Sequence, residues 1–77
     1  MNVSVHLHGL LREVLPLEAK GQTTLNLPDG ATVADLITHF GFQRRVVAAV
    51  NDEIEVAPDH PLHDGDDVAL FTVMAGG

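Results

Sequence analysis

The sequence contains no cysteine, no tryptophan and no tyrosine among its 77 residues. The absence of cysteine excludes disulfides, thiolate metal sites and a thiol nucleophile, and it agrees with a reducing compartment. No segment approaches the run of about 20 apolar residues that a membrane-spanning helix needs. No positively charged stretch leads into an apolar run near Met1, so no export signal is predicted. We therefore expect a cytoplasmic protein.

Basic residues are also scarce. Arg12, Lys20, Arg44 and Arg45 stand against eleven acidic residues, and the formal net charge is −7. Proteins that bind nucleic acids need clustered Lys and Arg, often with aromatic side chains that stack on bases, and this chain has only three aromatic residues, all Phe. The composition excludes nucleic-acid binding and favours docking onto a basic protein surface.

The first third of the chain predicts a β-hairpin. Residues 2–8 alternate between apolar and polar side chains, the period of a half-buried strand, and residues 23–27 alternate in the same way. Between them, residues 10–15 are expected to form a short helical turn before a proline. The two strands therefore pair across a long connection.

The best-specified helix follows a Pro-Asp-Gly turn. Thr32 is a predicted N-cap and Asp35, three residues on, completes a capping box. Gly41 supplies the left-handed residue that commonly ends a helix. The intervening apolar side chains recur at helical spacing, at Val33, Leu36, Ile37 and Phe40. A helix of two turns needs a sheet to pack against.

Three further strands are predicted. The continuous apolar run 45–50 indicates a central strand covered on both faces, residues 53–56 a short edge strand, and residues 67–73 a final strand inside the sheet. This order predicts an α+β, ubiquitin-like β-grasp fold with a mixed sheet of four to five strands and one main helix on one face. We expect a single domain over residues 1–77 with a flexible tail from 74 to 77.

The last strand is apolar on both sides, although one helix covers only one face of the sheet. The surplus indicates an interaction surface, with burial of a central strand as the alternative. His6 and His8 share one face of the first strand, and we interpret them as solvated side chains with a part in docking rather than as metal ligands. The candidate partner surface consists of Ala69, Phe71, Val73, His6 and His8.

The turns are rich in carboxylates that we interpret as solvated. Asp52, Glu53 and Glu55 follow one strand, and the run from Asp64 to Asp67 precedes another. Asp64 or Asp66 is expected to accept hydrogen bonds from turn amides. No Gly-rich phosphate loop and no convincing catalytic constellation is present, so no catalytic residue and no metal site are predicted.

The sequence finishes on Gly76-Gly77. Glycine loses more conformational freedom on ordering than other residues, so this dipeptide is a poor end for a folded element. A narrow, flexible terminus is instead suited to entering another protein's active site, where its carboxylate can react. A frayed terminus without function is the alternative.

Five segments together resemble one family. The chain is similar to the MoaD/ThiS family of ubiquitin-like sulfur carriers over its whole length, with matching pieces at residues 11–13 (LRE), 27–36 (LPDGATVADL), 50–53 (VNDE), 62–70 (LHDGDDVAL) and 75–77 (AGG). Each piece is weak alone, but their order and the Gly-Gly end are specific.

The resemblance implies a sulfur carrier and not an enzyme. Gly77 would be the site of adenylation and thiocarboxylate formation, and Met74, Ala75 and Gly76 would form the tether that enters the partner's active site. The chain would bind no cofactor itself, because a ubiquitin-activating-like enzyme of the MoeB/ThiF type would use the ATP. The second implied partner is a sulfur-accepting synthase, and the carrier alone is expected to be a monomer.

The recipient of the sulfur is open. The long connection between residues 10 and 21 favours the small subunit of molybdopterin synthase, in molybdenum cofactor biosynthesis. A carrier for the thiazole of thiamine is the next interpretation, and transfer RNA thiolation is a further one. Two other classes remain: a protein modifier that forms an isopeptide bond through Gly77, and a β-grasp binding module with an inert tail.

Overall fold

Two alternating segments form the predicted hairpin. In the computed structural model, which describes residues 1–42 and 45–72, strand β1 (Asn2–Leu7) pairs antiparallel with strand β2 (Gln22–Asn26). Every second residue of β1 is buried, as its period of two requires. Two short 3₁₀ helices, Gly9–Val14 and Leu17–Ala19, lie in the connection, so the predicted helical turn is confirmed.

Helix α1 (Val33–Phe40) begins and ends at the predicted residues. The Thr32 hydroxyl accepts a hydrogen bond from the Asp35 backbone N–H at 3.4 Å, and the Thr32 N–H donates to the Asp35 carboxylate at 2.9 Å. The capping box is therefore confirmed. Gly41 ends the helix with a φ of 73°, in the left-handed region that glycine adopts at little steric cost.

The final strand lies inside the sheet, as predicted. Strand β4 (Asp67–Thr72) runs parallel to β1 on one side and antiparallel to strand β3 (Val46–Val50) on the other. The strand order is β2-β1-β4-β3. One helix and a mixed four-stranded sheet in this order form the ubiquitin-like β-grasp fold that the sequence predicts.

The prediction of a central strand at residues 45–50 was wrong. Within the described residues β3 pairs with β4 alone and lies at the edge of the sheet. Its run of apolar residues has a different cause. Ala48 and Val50 belong to the core beneath the helix, while Val47 and Ala49 point to the opposite face.

The predicted edge strand at residues 53–56 is also absent from the described structure. Glu53 makes an isolated bridge with Val50, and Glu55 has a φ of 59°, which interrupts an extended chain. Ile54 is 72% exposed, so the alternation in this segment does not bury an apolar face. Short alternating segments of this kind carry too little information to separate a strand from a loop.

One cluster of apolar side chains forms the core between α1 and the sheet. Strands β1, β3 and β4, helix α1 and the connecting segments contribute its members. These are Val3, Val5, Leu7, Leu11, Leu27, Ala31, Val33, Leu36, Ala48, Val50, Leu62, Val68 and Leu70. None of the helices in residues 1–42 and 45–72 is long and apolar enough to cross a membrane. The division into one domain and a tail from residue 74 stays a prediction, because residues 73–77 lie outside the described structure.

Candidate functional site

The structure describes the chain up to the root of the predicted tail. Thr72, the last residue of β4, pairs with Val46 at the start of β3, and Leu70 pairs with Leu7 at the end of β1. We call this end of the strands the tail end. The predicted attachment site, Gly77, and the predicted tether of Met74, Ala75 and Gly76 lie outside the described residues, as does Val73, so their roles stay predictions.

The described members of the predicted partner surface lie together on the sheet face opposite α1, which we call the outer face. His6 pairs with Ala69 across neighbouring strands. The rings of His8 and Phe71 lie 5.4 Å apart with an angle of 44° between their planes. His6, Ala69 and Phe71 are half-buried and His8 is exposed. This arrangement offers an apolar surface bordered by two imidazoles.

Two further apolar residues lie on this face and were not predicted there, and of the two Ala49 is only 7% exposed. Val47 pairs with Phe71, and Ala49 pairs with Ala69, so both lie on the outer face. Alternation along β3 places Val47 and Ala49 on one face, but every residue of the strand is apolar, so the sequence did not show which residues face the core. We call the resulting set the outer patch, which consists of His6, His8, Val47, Ala49, Ala69 and Phe71.

The opposite end of the strands, which we call the acidic end, carries carboxylates that accept hydrogen bonds in turns. The Asp64 carboxylate accepts a hydrogen bond from the Asn2 N–H at 2.7 Å. The Asp66 carboxylate accepts from the His63 N–H at 2.8 Å and from the Asn51 side-chain amide at 3.3 Å. These contacts confirm the prediction that Asp64 or Asp66 caps turn amides.

Two of the three histidines outside the outer face lie beside single carboxylates. His60 Nδ1 is 3.9 Å from a Glu53 carboxylate oxygen, and His63 Nδ1 is 3.9 Å from an Asp66 carboxylate oxygen. Within residues 1–42 and 45–72, no three His, Asp or Glu side chains are grouped closely enough to hold a metal ion.

Solved structures share this ubiquitin-like β-grasp architecture. A protein from Pyrococcus furiosus named for subunit 1 of a molybdopterin converting factor is 28% identical, with a TM-score of 0.75 over 96% of this chain and 99% of that one. Small archaeal modifier protein 1 from Haloferax volcanii is 18% identical, with a TM-score of 0.73 over 95% and 98% of the two chains. The complex of subunits 1 and 2 of the Helicobacter pylori molybdopterin-converting factor contains a chain that is 21% identical, with a TM-score of 0.63 and complete coverage of both chains.

The family assignment rests on sequence as well as fold. The profile of the ThiS family matches residues 5–77. The chain therefore belongs to the ThiS family, within the MoaD/ThiS group of ubiquitin-like sulfur carriers, and the resemblance seen in the sequence is confirmed. No curated protein sequence matches it.

Proposed function

We propose that this protein carries sulfur as a thiocarboxylate on Gly77 and delivers it to molybdopterin synthesis as the small subunit of the synthase. The observation that carries the proposal is the family match, which extends through Gly76 and Gly77. The fold supports it, because the strand that precedes these residues is held between two neighbours in the middle of the sheet.

The chemistry needs a partner for each step. A carboxylate is a poor electrophile, so an oxygen of the Gly77 carboxylate first attacks the α-phosphorus of ATP, and pyrophosphate leaves. The terminal sulfur of a persulfide then attacks the carbonyl carbon, and the carbon–oxygen bond to AMP breaks. The product is an acyl disulfide that keeps the sulfur–sulfur bond of the persulfide. A thiol finally attacks the outer sulfur of this bond and releases the thiocarboxylate, with a disulfide as the oxidised product.

The contribution of this chain is presentation and recognition. Val68 and Leu70 have no exposed surface, so their burial anchors β4, the strand from which the tail extends. Met74, Ala75 and Gly76 provide the tether. A partner that covers the outer patch, and Phe71 in particular, holds the body of the carrier while Gly77 reaches the reacting centre, so binding energy is converted into positioning.

Two partners follow from this scheme. An adenylating enzyme of the MoeB/ThiF type binds the ATP, and the carrier binds no cofactor. A synthase large subunit accepts the sulfur, and the Helicobacter pylori complex of subunits 1 and 2 supports such a pairing for this fold. In this proposal the carrier is non-catalytic, a monomer when alone, and acts in the cytoplasm.

The ThiS family match favours a second recipient, the synthase that builds the thiazole of thiamine. The Pyrococcus furiosus relative, named for a molybdopterin converting factor, favours the first. Both recipients use the same thiocarboxylate, so the acceptor alone distinguishes them. A carrier that also modifies proteins would use the same adenylate but would form an amide with a lysine.

The direct test combines the purified carrier with the adenylating enzyme, ATP and a persulfide donor. We expect the intact mass to rise by the difference between one sulfur and one oxygen atom. The chain without Gly77 should keep its mass, and Leu17→Ser, at a side chain that is 95% exposed, should react as the unchanged chain does. A carrier that is never thiolated, or a Gly77 deletion without consequence, would refute the proposal.

The thiolated carrier is then offered to a molybdopterin synthase large subunit and to a thiazole synthase. We expect sulfur to pass to the molybdopterin precursor. Transfer only to the thiazole product would replace the first recipient with the second, and conjugates of higher mass that depend on Gly77 would identify a modifier.

A further inference from the structure

The three described Lys and Arg residues lie at the tail end of the sheet, in the company of Glu13 and Glu18. Arg12 and Lys20 lie in the connection that joins the tail end of β1 to β2, and Arg45 immediately precedes β3 at the same end. The acidic end, where β1 and β4 begin, carries carboxylates at Asp52, Asp64, Asp66 and Asp67. A chain with a net charge of −7 therefore has cations at its tail end.

Two of these cations line a small cleft of about 240 Å³. His6 and His8 from β1 and its end form one side, and Arg12, Lys20 and Gly21 form another. We call this the cationic cleft. All of its described ionisable side chains are basic, and none is an acid.

The backbone at Lys20 and Gly21 positions Arg12. A Cβ on Gly21 would lie 2.7 Å from the Leu7 carbonyl oxygen, 2.9 Å from Arg12 Nε and 3.1 Å from Arg12 Cγ. The Arg12 side chain therefore runs directly over the glycine backbone. Gly21 and Lys20 both have left-handed φ angles, 75° and 55°, and the Leu7 N–H donates to the Gly21 carbonyl at 2.6 Å. This local geometry brings Arg12 and Lys20 to one cleft.

Neither cation of the cleft is neutralised by a described carboxylate. Within residues 1–42 and 45–72, no carboxylate oxygen lies within 4.0 Å of Arg12 or Lys20, although Glu13 and Glu18 belong to the same connection. A guanidinium and an ammonium beside two imidazoles match an anionic group. Guanidinium in particular binds carboxylates with two parallel hydrogen bonds.

The cleft adjoins the root of the tail. A Cβ on Gly9, which lines the cleft, would lie 3.9 Å from the Thr72 hydroxyl. Five residues separate Thr72 from the chain terminus and span at most about 18 Å when fully extended. When Gly77 reaches a bound nucleotide through a channel, the cleft stays at the mouth of that channel. We therefore take a protein carboxylate at the mouth as its anionic ligand, and the test below distinguishes it from the phosphates of the nucleotide.

We propose that the cationic cleft, through Arg12 and Lys20, binds acidic side chains that surround the channel mouth of the adenylating partner. This inference rests on the proposed function. The contact orients an otherwise acidic carrier so that its tail end approaches first. Complementary charges of this kind raise the association rate and fix the register of a complex.

The test is the ATP–pyrophosphate exchange that the adenylating enzyme performs with the carrier, measured with Arg12→Gln, Lys20→Gln and the double variant. At low ionic strength we expect the double variant to raise the half-saturating carrier concentration by about 3- to 20-fold, the range for two partly exposed ion pairs. The rate at saturating carrier and the half-saturating ATP concentration should not change. Added salt should weaken the unchanged carrier more than the double variant.

Arg45→Gln is the matched control, because Arg45 is an exposed cation at the same end but lines a different cleft. It should change the half-saturating concentration less than twofold relative to the unchanged carrier, as expected for an exposed charge without a partner. Thermal unfolding of each variant verifies that the fold is intact.

Each outcome has one meaning. Equal half-saturation for the double variant and the unchanged carrier overturns this inference and leaves the proposed function standing. An increase for Arg45→Gln as large as for Arg12→Gln overturns it as well, because net charge alone would then explain the effect. A change in half-saturating ATP would assign the cleft to the nucleotide and contradict the proposed ligand. An unchanged carrier that supports no exchange would refute the proposed function itself.

Discussion

Neighbouring residues of β4 lie in opposite environments. Val68 and Leu70 face α1 and have no exposed surface, whereas Ala69 and Phe71 face outward and are half-buried. The two pairs are similarly apolar, so composition alone does not distinguish them. The difference arises because one helix covers one face of the sheet. The same strand therefore holds one pair in the core and presents the other pair on the outer face, where we propose that partners dock.

The largest effect is expected on the covered face. Leu70→Ala removes a fully buried side chain from the centre of the core and should lower the free energy of unfolding by about 2–5 kcal/mol. Denaturation with urea measures this change. Phe71→Ala, the adjacent residue on the outer face, is the matched control and should lower stability by less than half as much. Equal losses would mean that the two faces are equally buried.

The next effect concerns the outer patch. Phe71→Asp places a charge beside His8 at the centre of the apolar surface. If partners dock there, the binding free energy should weaken by about 2 kcal/mol, roughly a 30-fold increase in Kd, as for a central aromatic of an interface. Isothermal titration against the synthase large subunit measures this. An unchanged affinity of a folded Phe71→Asp variant would mean that the outer patch is not part of the interface.

A smaller effect is expected from the helix cap, which acts on the covered face only. Thr32→Ala removes the hydroxyl that accepts from the Asp35 N–H and should lower the free energy of unfolding by about 1 kcal/mol. Thr32→Ser keeps the hydroxyl and should restore most of the loss. Thermal unfolding monitored by circular dichroism compares the two. Partner affinity of the folded variants should not change, since Thr32 lies away from the outer face.

The smallest effect sharpens the boundary of the outer patch. His8 is exposed and contacts Phe71 through its ring, so His8→Ala should reduce partner affinity by only a few fold, as for a residue at the rim of an interface. The same titration measures it. His63→Ala is the control. It changes an exposed histidine at the acidic end of the sheet and should leave the affinity unchanged. A loss at His63 as large as at His8 would contradict this location of the interface.

Strong local signals made much of the fold predictable. The alternation of residues 2–7 and the capping box at Thr32 each follow from contacts within a few residues, and both were located correctly. The place of β3 at the edge of the sheet was not predictable in this way. It depends on which strands pair, and the apolar run in β3 combines residues of the core with residues of the outer face.

The site was predictable only in part. Alternation within β1 and β4 indicated which side chains share a face, and the parallel register then places His6 beside Ala69, with His8 and Phe71 on the same face. The cationic cleft was not predicted, because it depends on the left-handed backbone at Lys20 and Gly21 within a long connection. Sequence patterns indicate such turns poorly when they lie between irregular segments.

The central claim is that Gly77 carries the sulfur, and its position can be measured directly. No Lys or Arg follows Arg45, so trypsin releases residues 46–77 as one C-terminal peptide. After incubation with the adenylating enzyme, ATP and a persulfide donor, fragmentation of this peptide in a mass spectrometer should locate one sulfur-for-oxygen exchange on Gly77. A peptide that keeps its mass, or an exchange located at another residue, would contradict the account.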